Sequence, residues 1–408
     1  MRKTGLFLSV AAMALVIAFI SCSNPVFPDG SSTGRSITQT QPGYTVIEQL
    51  EWLQENARTN GNYVVVARLN EPRIPGNNNF GISYGTRENI TVTITSDTGI
   101  PRQTLRLLDS GVMLDVSAGN TLILQNINLQ VSDAFERNAP IVVVYNGTLK
   151  MTNASISGNE GTYFRNDGER GVALRDEGTL IMSYGAEIYG NRGGVSVVEE
   201  SRVYMYGNAL IHNNTAFWPW PPTGIGLLQS FGGGVVLHEG TITMRGDAKI
   251  YANNADAGGG IAAWPGFIYM YDNAAIHGNS SSSGGGVHME TWPPLWNSAL
   301  NMHGNNVRIS ANSSNAGRGG GGGAGGLFLS GVISVLYISG GTIYGVNALP
   351  HLANIASNFS NAAMFRSSGA IIRVGSYSSD GGFIPCGFTN VVIQDFNSTF
   401  RVIDGELQ

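Results

Sequence analysis

The chain has 408 residues, a formal net charge of −5, only 12 % charged residues, 56 glycines and two cysteines. Its Lys and Arg residues form no cluster, which argues against nucleic-acid binding. Val, Ile and Leu recur along its whole length, which argues against disorder and for many short strands joined by many turns.

Residues 1–21 read as an export signal. Arg2 and Lys3 give a basic start, and Leu6 to Ile20 is an apolar run of signal-peptide length, short for a membrane span. The stretch Phe19-Ile20-Ser21-Cys22 resembles a bacterial lipobox, with Phe19 where Leu is usual. That resemblance implies cleavage before Cys22 and acylation of its thiol and new amine, and several acyl chains anchor stably. The mature chain then carries 21 Lys and Arg against 28 Asp and Glu, a balance of −7. With Cys22 acylated, Cys386 has no partner and reads as a small buried hydrophobe, so the core alone must hold the fold.

Residues 22–43 are rich in Ser, Pro, Gly and Thr and read as a flexible tether. Residues 44–60 read as a capping helix. Thr45-Val46-Ile47-Glu48 is a capping box, Val46, Ile47, Leu50, Leu53 and Ala57 follow at helical spacing, and Gly61 stops the run. Such a helix suits the open edge of a stacked β-structure, where bare strands invite aggregation.

Residues 61–345 carry a repeat. One unit reads Gly-Val, a turn, an apolar pair around Met, then Ile-x-x-Asn. It runs through Met182 and Ile188-Tyr189-Gly190-Asn191, then Met205 with Ile211 and Asn214, then Met244 with Ile250 and Asn253. It continues with Met270, Ile276 and Asn279, and with Met302, Ile309 and Asn312; Met151, Ile156 and Asn159 form a degenerate earlier copy. The Ile-to-Asn offset is three in six copies, while Met-to-Met steps vary as 23, 39, 26 and 32 residues. Fixed short segments separated by variable ones mean strands in register and loops that absorb insertions. Each unit is too small to bury a core alone, so the units must stack. Period-two alternation sends Met, Ile and Val inward, and the Asn falls at a turn, where its amide can bond the next coil. Gly before Val supplies a tight corner. A propeller blade needs about 40 residues and longer strands, and the Leu-x-x-Leu-x-Leu signature of leucine-rich solenoids is absent. The expected fold is all-β, a right-handed parallel β-helix with an N-terminal capping α-helix. Earlier coils are expected at Tyr63 to Ala67, Ile90 to Thr95, Leu105 to Leu108 with Val112 to Val116, and Thr121 to Leu129. Residues 346–408 are expected to hold irregular last coils and a cap, with strands at Gly369 to Val374, Val391 to Ile393 and Thr399 to Ile403. No outer-membrane barrel of the autotransporter kind is expected to follow them.

The Gly-Gly-Gly-Val and Ile-x-x-Asn units resemble right-handed β-helix lipoproteins of spirochaetes. So do the helix around Leu50-Glu51-Trp52-Leu53-Gln54 and the tail Phe400-Arg401-Val402-Ile403-Asp404-Gly405. The repeats are also similar to those of chlamydial polymorphic outer-membrane proteins, which are adhesins. The resemblance implies a lipid-anchored protein of the outer membrane or cell surface with an interaction role.

No cofactor is expected. Parallel β-helices also house polysaccharide lyases and glycosidases, which need converging carboxylates. The densest acidic group is Asp167, Glu169, Asp176 and Glu177, with Arg170 and Arg175 beside it, and it reads as a solvated turn with ion pairs. His212 and His277 take equivalent positions with Tyr251 on the coil between, which reads as a surface ladder rather than a metal site. Two features suit ligand binding. Tyr204, Tyr206, Tyr269 and Tyr271 flank inward Met residues and face outward, with Arg245 and His303 continuing one row. Loops carry Trp with Pro: Trp218, Trp220, Trp264, Trp292 and Trp296. These tryptophans either project or fold back over the wall. The functional expectation is a non-catalytic, lipid-anchored binding protein for a host or envelope protein or carbohydrate. A polysaccharide lyase or glycosidase is the alternative.

Overall fold

The structure, a computed structural model, describes residues 38–39, 45–76, 88–108, 111–131, 139–159, 170–216, 231–291, 297–315, 324–331 and 334–356. Beyond these it describes the strands 364–366, 371–377, 383–385, 395–396, 400–403 and 406–407. The architecture is a parallel β-helix. Strands from successive coils stack into a 13-stranded long sheet, an 11-stranded second sheet, a 10-stranded third sheet and a 5-stranded fourth sheet. One coil runs from the third sheet (Val195–Val198) through the long sheet (Arg202–Met205) and the second sheet (Leu210–His212) to the fourth (Thr215–Ala216).

The repeat sets the register. Met151, Met182, Met205, Met244, Met270 and Met302 stack one above the next in the long sheet. Ile156, Ile188, Ile211, Ile250, Ile276 and Ile309 do so in the second sheet, and Val172, Val195 and Val235 in the third. All are buried in one continuous core that runs from Val46 to Ile343. Gly234 and Gly260 show why a side chain is excluded before these apolar residues. A Cβ on Gly234 would sit 2.6 Å from the carbonyl oxygen of Gly260, and one on Gly260 would meet Gly286 in the same way.

The Asn of each unit forms a buried ladder. Asn191, Asn214, Asn253, Asn279 and Asn312 each donate the backbone N–H and Nδ2 to Oδ1 of the Asn one coil on, ending at Asn354. Nδ2 of each also reaches back to an Ile carbonyl, as from Asn253 to Ile211 at 3.1 Å. The ladder thereby bonds the amides of successive turns directly to one another.

The helix Val46–Asn56 begins with Thr45 in the capping box read from the sequence. Val46, Leu50 and Leu53 enter the core. Gln49 sits on the open edge of the first full strand, Asn62–Ala67. Its amide donates to the Val66 carbonyl and accepts from the Val66 N–H, each at 3.0 Å, as a further strand would. Thr38–Gln39, within the segment read as a tether, pairs parallel with Tyr63 and Val64 on that edge.

Two features depart from the reading. A fourth strand follows the Asn turn in five coils, for example Asn254–Ala257 and Ser280–Ser283. These segments are short and carry small or polar residues in place of the Val, Ile and Met of the other strands, and pairing with their copies above and below makes them strands. After Gly345 the chain makes a further parallel coil, with Met364–Arg366 on Leu327–Ser330 and Ile371–Tyr377 on Ser334–Ile338, and then turns back. Phe400–Ile403 runs antiparallel to Gly341–Ile343, and Phe383–Pro385 antiparallel to Gly375–Tyr377, which reverses direction and ends the stack. The expected strand at Val391 to Ile393 lies outside the described residues.

Candidate functional site: two ring-bearing walls

The outward residues of the long sheet form two rows. Tyr204, Thr243, Tyr269, Asn301 and Tyr337 pair in succession across the strands. Tyr206, Arg245, Tyr271, His303 and Ser339 lie one step past the inward column. Each of these five is pinned by its backbone N–H to a carbonyl of the Met column one coil earlier. The sequence reading thus places Tyr204, Tyr206, Tyr269 and Tyr271 on one wall, and the structure brings them together there. Tyr204 and Tyr206 lie parallel with centroids 6.2 Å apart. Arg245 covers the Tyr271 ring at 4.2 Å, and Tyr271 stacks on His303 at 4.9 Å. His303 Nδ1 and Ser339 Oγ are 2.8 Å apart. Burial, with Arg245 beside it, lowers the His303 imidazole to about 4, so at neutral pH the ring is uncharged. Burial raises the Tyr269 and Tyr206 hydroxyls.

The second sheet carries a tighter column. Tyr189, His212, Tyr251 and His277 stack face to face at 5.2, 4.8 and 5.2 Å, with interplanar angles of 7, 11 and 4°. The expected ladder is present, with Tyr251 between the two imidazoles. A metal would need nitrogens that converge, whereas these rings lie parallel and turn their edges outward. Burial is the main cause that lowers both imidazoles, and Arg308 and Lys249 help to bring His277 to about 4. Glu187 lies 3.8 Å from His212 and opposes the shift there.

The tryptophans behave differently. Trp264 folds against the third sheet and does not project. It meets Phe231 edge-on at 4.0 Å, and its Nε1 donates to Glu290 Oε2 at 3.4 Å. His288 lies beside it, stacked on Phe328 at 4.7 Å, with Ser283 Oγ 3.2 Å from Nδ1 and Glu290 Oε2 3.4 Å from Nε2. The His288 hydrogen bond holds the Glu290 carboxyl below its ordinary value. A Ser, His and carboxylate in sequence resemble a nucleophile relay. Here the imidazole is only 5 % exposed, and Phe231, Trp264 and Phe328 pack around it, which makes the trio a packed polar cluster. Trp218, Trp220, Trp292 and Trp296 lie outside the described residues, as do Cys22 and Cys386.

Asp176 and Glu177 are exposed at a turn in the left-handed region, stacked on Glu199 and Glu200 of the next coil; Asp167 and Glu169 lie outside the described residues. Arg170 is 4 % exposed and does not belong to a solvated turn. Its guanidinium donates to the carbonyls of Gly232 and Phe231 at 2.8 and 2.7 Å, a tie between distant coils that no local motif announced. Among the described residues, no three His, Cys, Asp or Glu side chains group as metal ligands. No helix among them is long and apolar enough to cross a membrane. No protein-family model, curated protein or solved structure matches this chain.

Proposed function

We propose that this chain is a non-catalytic binding protein of the cell envelope, exported, anchored by lipid at Cys22, and holding an extended carbohydrate or protein partner on its ring-bearing walls. The observation that carries this reading is the column Tyr189, His212, Tyr251 and His277, whose rings repeat at 4.8 to 5.2 Å on a rigid wall. The partner's contacts then recur once per coil, close to the length of one sugar unit in an extended chain. Hydroxyls and ring nitrogens at fixed intervals are placed at low entropic cost, because the strands beneath them are locked by the core. The tyrosine wall of the long sheet borders the column and widens the surface. The Trp-Pro stretches add aromatic side chains of the kind that bind sugars and proteins. The lipobox and the likeness of the repeats to spirochaete lipoproteins support a place at the outer membrane or cell surface.

Binding to a glycan array and to envelope extracts tests this. Tyr251→Ala with His277→Ala, Tyr269→Ala with Tyr271→Ala, and Ala at Trp218, Trp220, Trp264, Trp292 and Trp296 form three variant sets. Loss of binding in the ring sets with an unchanged melting curve is expected. Unchanged binding in all three sets overturns the reading. Proteolysis of intact cells and Cys22→Ser report separately on exposure and anchoring.

A further inference from the structure

We infer that the corner between the two ring-bearing walls is a binding site for the carboxylate or sulfate group of an acidic saccharide. This inference rests on the reading of the second-sheet wall as a glycan-binding surface.

The corner holds a cavity of about 330 Å³ lined by Asp247, Lys249, Asn273, Asn306, Arg308 and Tyr344, among others. Its two cations come from one outward column. Lys249 pairs with Ala275, and Ala275 pairs with Arg308, so the cations stand two coils apart with the smallest of side chains between them. Two coils are about 10 Å. Both side chains line the same cavity, and Ala275 lies buried between their strands. Among the described residues, no carboxylate lies within ion-pairing distance of either cation.

The polar rim is set in advance. Asn306 Nδ2 donates to Asn273 Oδ1 at 2.9 Å, and Asn273 Nδ2 donates to Asp247 Oδ1 at 3.0 Å. This chain of amides fixes Asp247, the one anionic group of the cavity lining, at the exposed corner. Two cations against one carboxylate leave the cavity net positive, on a chain whose overall charge is −5. His277 adjoins Lys249 and Arg308 and is neutral at pH 7, so it contributes a hydrogen-bonding edge and no charge.

The chemistry of these groups selects the ligand. A guanidinium meets carboxylate or sulfate oxygens with two parallel N–H donors, and an ammonium adds a mobile point charge. The amides and the Tyr344 hydroxyl suit sugar hydroxyls. The ring column begins next to the cavity, since His277 follows Ala275 on the same strand, Ala275–His277. An acidic sugar in the corner therefore lies in line with neighbours that run along the rings.

Titration calorimetry at low and physiological salt tests the site on the full chain. The probes are oligogalacturonate for carboxylate, dextran sulfate for sulfate, and unmodified dextran as the neutral reference. At least one acidic probe is expected to bind at least tenfold more tightly than dextran, with affinity falling as salt rises. Lys249→Gln with Arg308→Gln is expected to lose at least tenfold on that probe and to leave dextran unaffected. Asp247→Asn is expected to tighten it, a direction that a misfolded variant does not mimic. Equal affinity for acidic and neutral probes, or no effect of the cation variant, overturns the anion site and leaves the ring-wall reading standing. Binding of none of the three probes overturns the anion site and, with it, the reading of the walls as a surface for carbohydrate. Loss with Tyr251→Ala but not with the cation variant assigns binding to the rings alone.

Discussion

Asn253 donates both its backbone N–H and its side-chain Nδ2 to one atom, Oδ1 of Asn279, each at 3.0 Å. Asn214 treats Asn253 in the same way from the coil before. Replacement of Asn253 by Ala therefore strands two buried donors of Asn214 and the Ile211 carbonyl. Each such group costs about 1–3 kcal/mol when left unpaired, so a loss of at least ~2 kcal/mol is expected in urea unfolding. Asn273→Ala, in the exposed corner ladder, is expected to cost under ~1 kcal/mol. Equal effects of the two would refute a special role for the buried ladder.

Gly234 faces the next coil at its backbone. An added Cβ meets the Gly260 carbonyl at 2.6 Å, Ile250 Cγ2 at 2.8 Å and Asn253 Nδ2 at 3.0 Å. Backbone on one side and ladder on the other leave nothing that yields cheaply. Gly234→Ala is expected to destabilise by several kcal/mol, on the scale of the larger packing and strain effects. The control is Gly99, whose added Cβ meets nothing within 4 Å although its φ is +86°. Ala there is expected to cost only about 1 kcal/mol, the strain of the backbone itself. A Gly234→Ala protein with a wild-type melting temperature would contradict this account.

Met244 is fully buried between Met205 and Met270. Truncation to Ala removes most of a side chain from a column that cannot collapse, because its neighbours are fixed by their own coils. A cost of about 2–5 kcal/mol is expected, whereas Leu at the same place, similar in volume, is expected to cost less than ~1.5 kcal/mol. Chemical denaturation of the two variants separates the cases.

The wall histidines make stability depend on pH. In the folded protein His277 and His303 are held at about 4, against 6.5 for an unperturbed imidazole. Between those values the unfolded chain takes up protons that the folded protein refuses, so stability is expected to fall as pH drops from 6.5 towards 4. Melting temperatures across that window are expected to decline less in a His277→Gln, His303→Gln variant than in the wild type. Parallel declines would show that carboxylates dominate the acid response.

Wherever a residue contacts only copies of itself, its role was legible from spacing alone. Met182, Ile188 and Asn191 recur at fixed offsets because each stacks on its counterparts, and loops of any length leave those offsets intact. The outward tyrosines were legible for the same reason, since they flank the inward Met. Arg170 was not, because its partners are backbone carbonyls about sixty residues away, at a spacing that no repeat fixes. The sequence around Trp264 is compatible with projecting or with folding back, because its place depends on Phe231, thirty-three residues earlier and on another coil. The shared outward column of Lys249 and Arg308 is present in the sequence, one residue before Ile250 and Ile309. It becomes visible only when the outward positions are aligned as closely as the inward ones.

The two ends of the solenoid are blunted by different means, the Gln49 amide at one and strands that run backwards at the other. Both devices occupy or turn away backbone groups that a bare strand edge would expose. The long sheet's run of twelve parallel strands therefore sets a finite rod, roughly 50 Å from Thr38–Gln39 to Ile371–Tyr377 at ~4.8 Å per step. Insertion or loss of a whole coil leaves both ends and every interior contact type unchanged. What it alters is the length of the rod, in increments of one strand spacing, so the number of coils works as a ruler set by the gene.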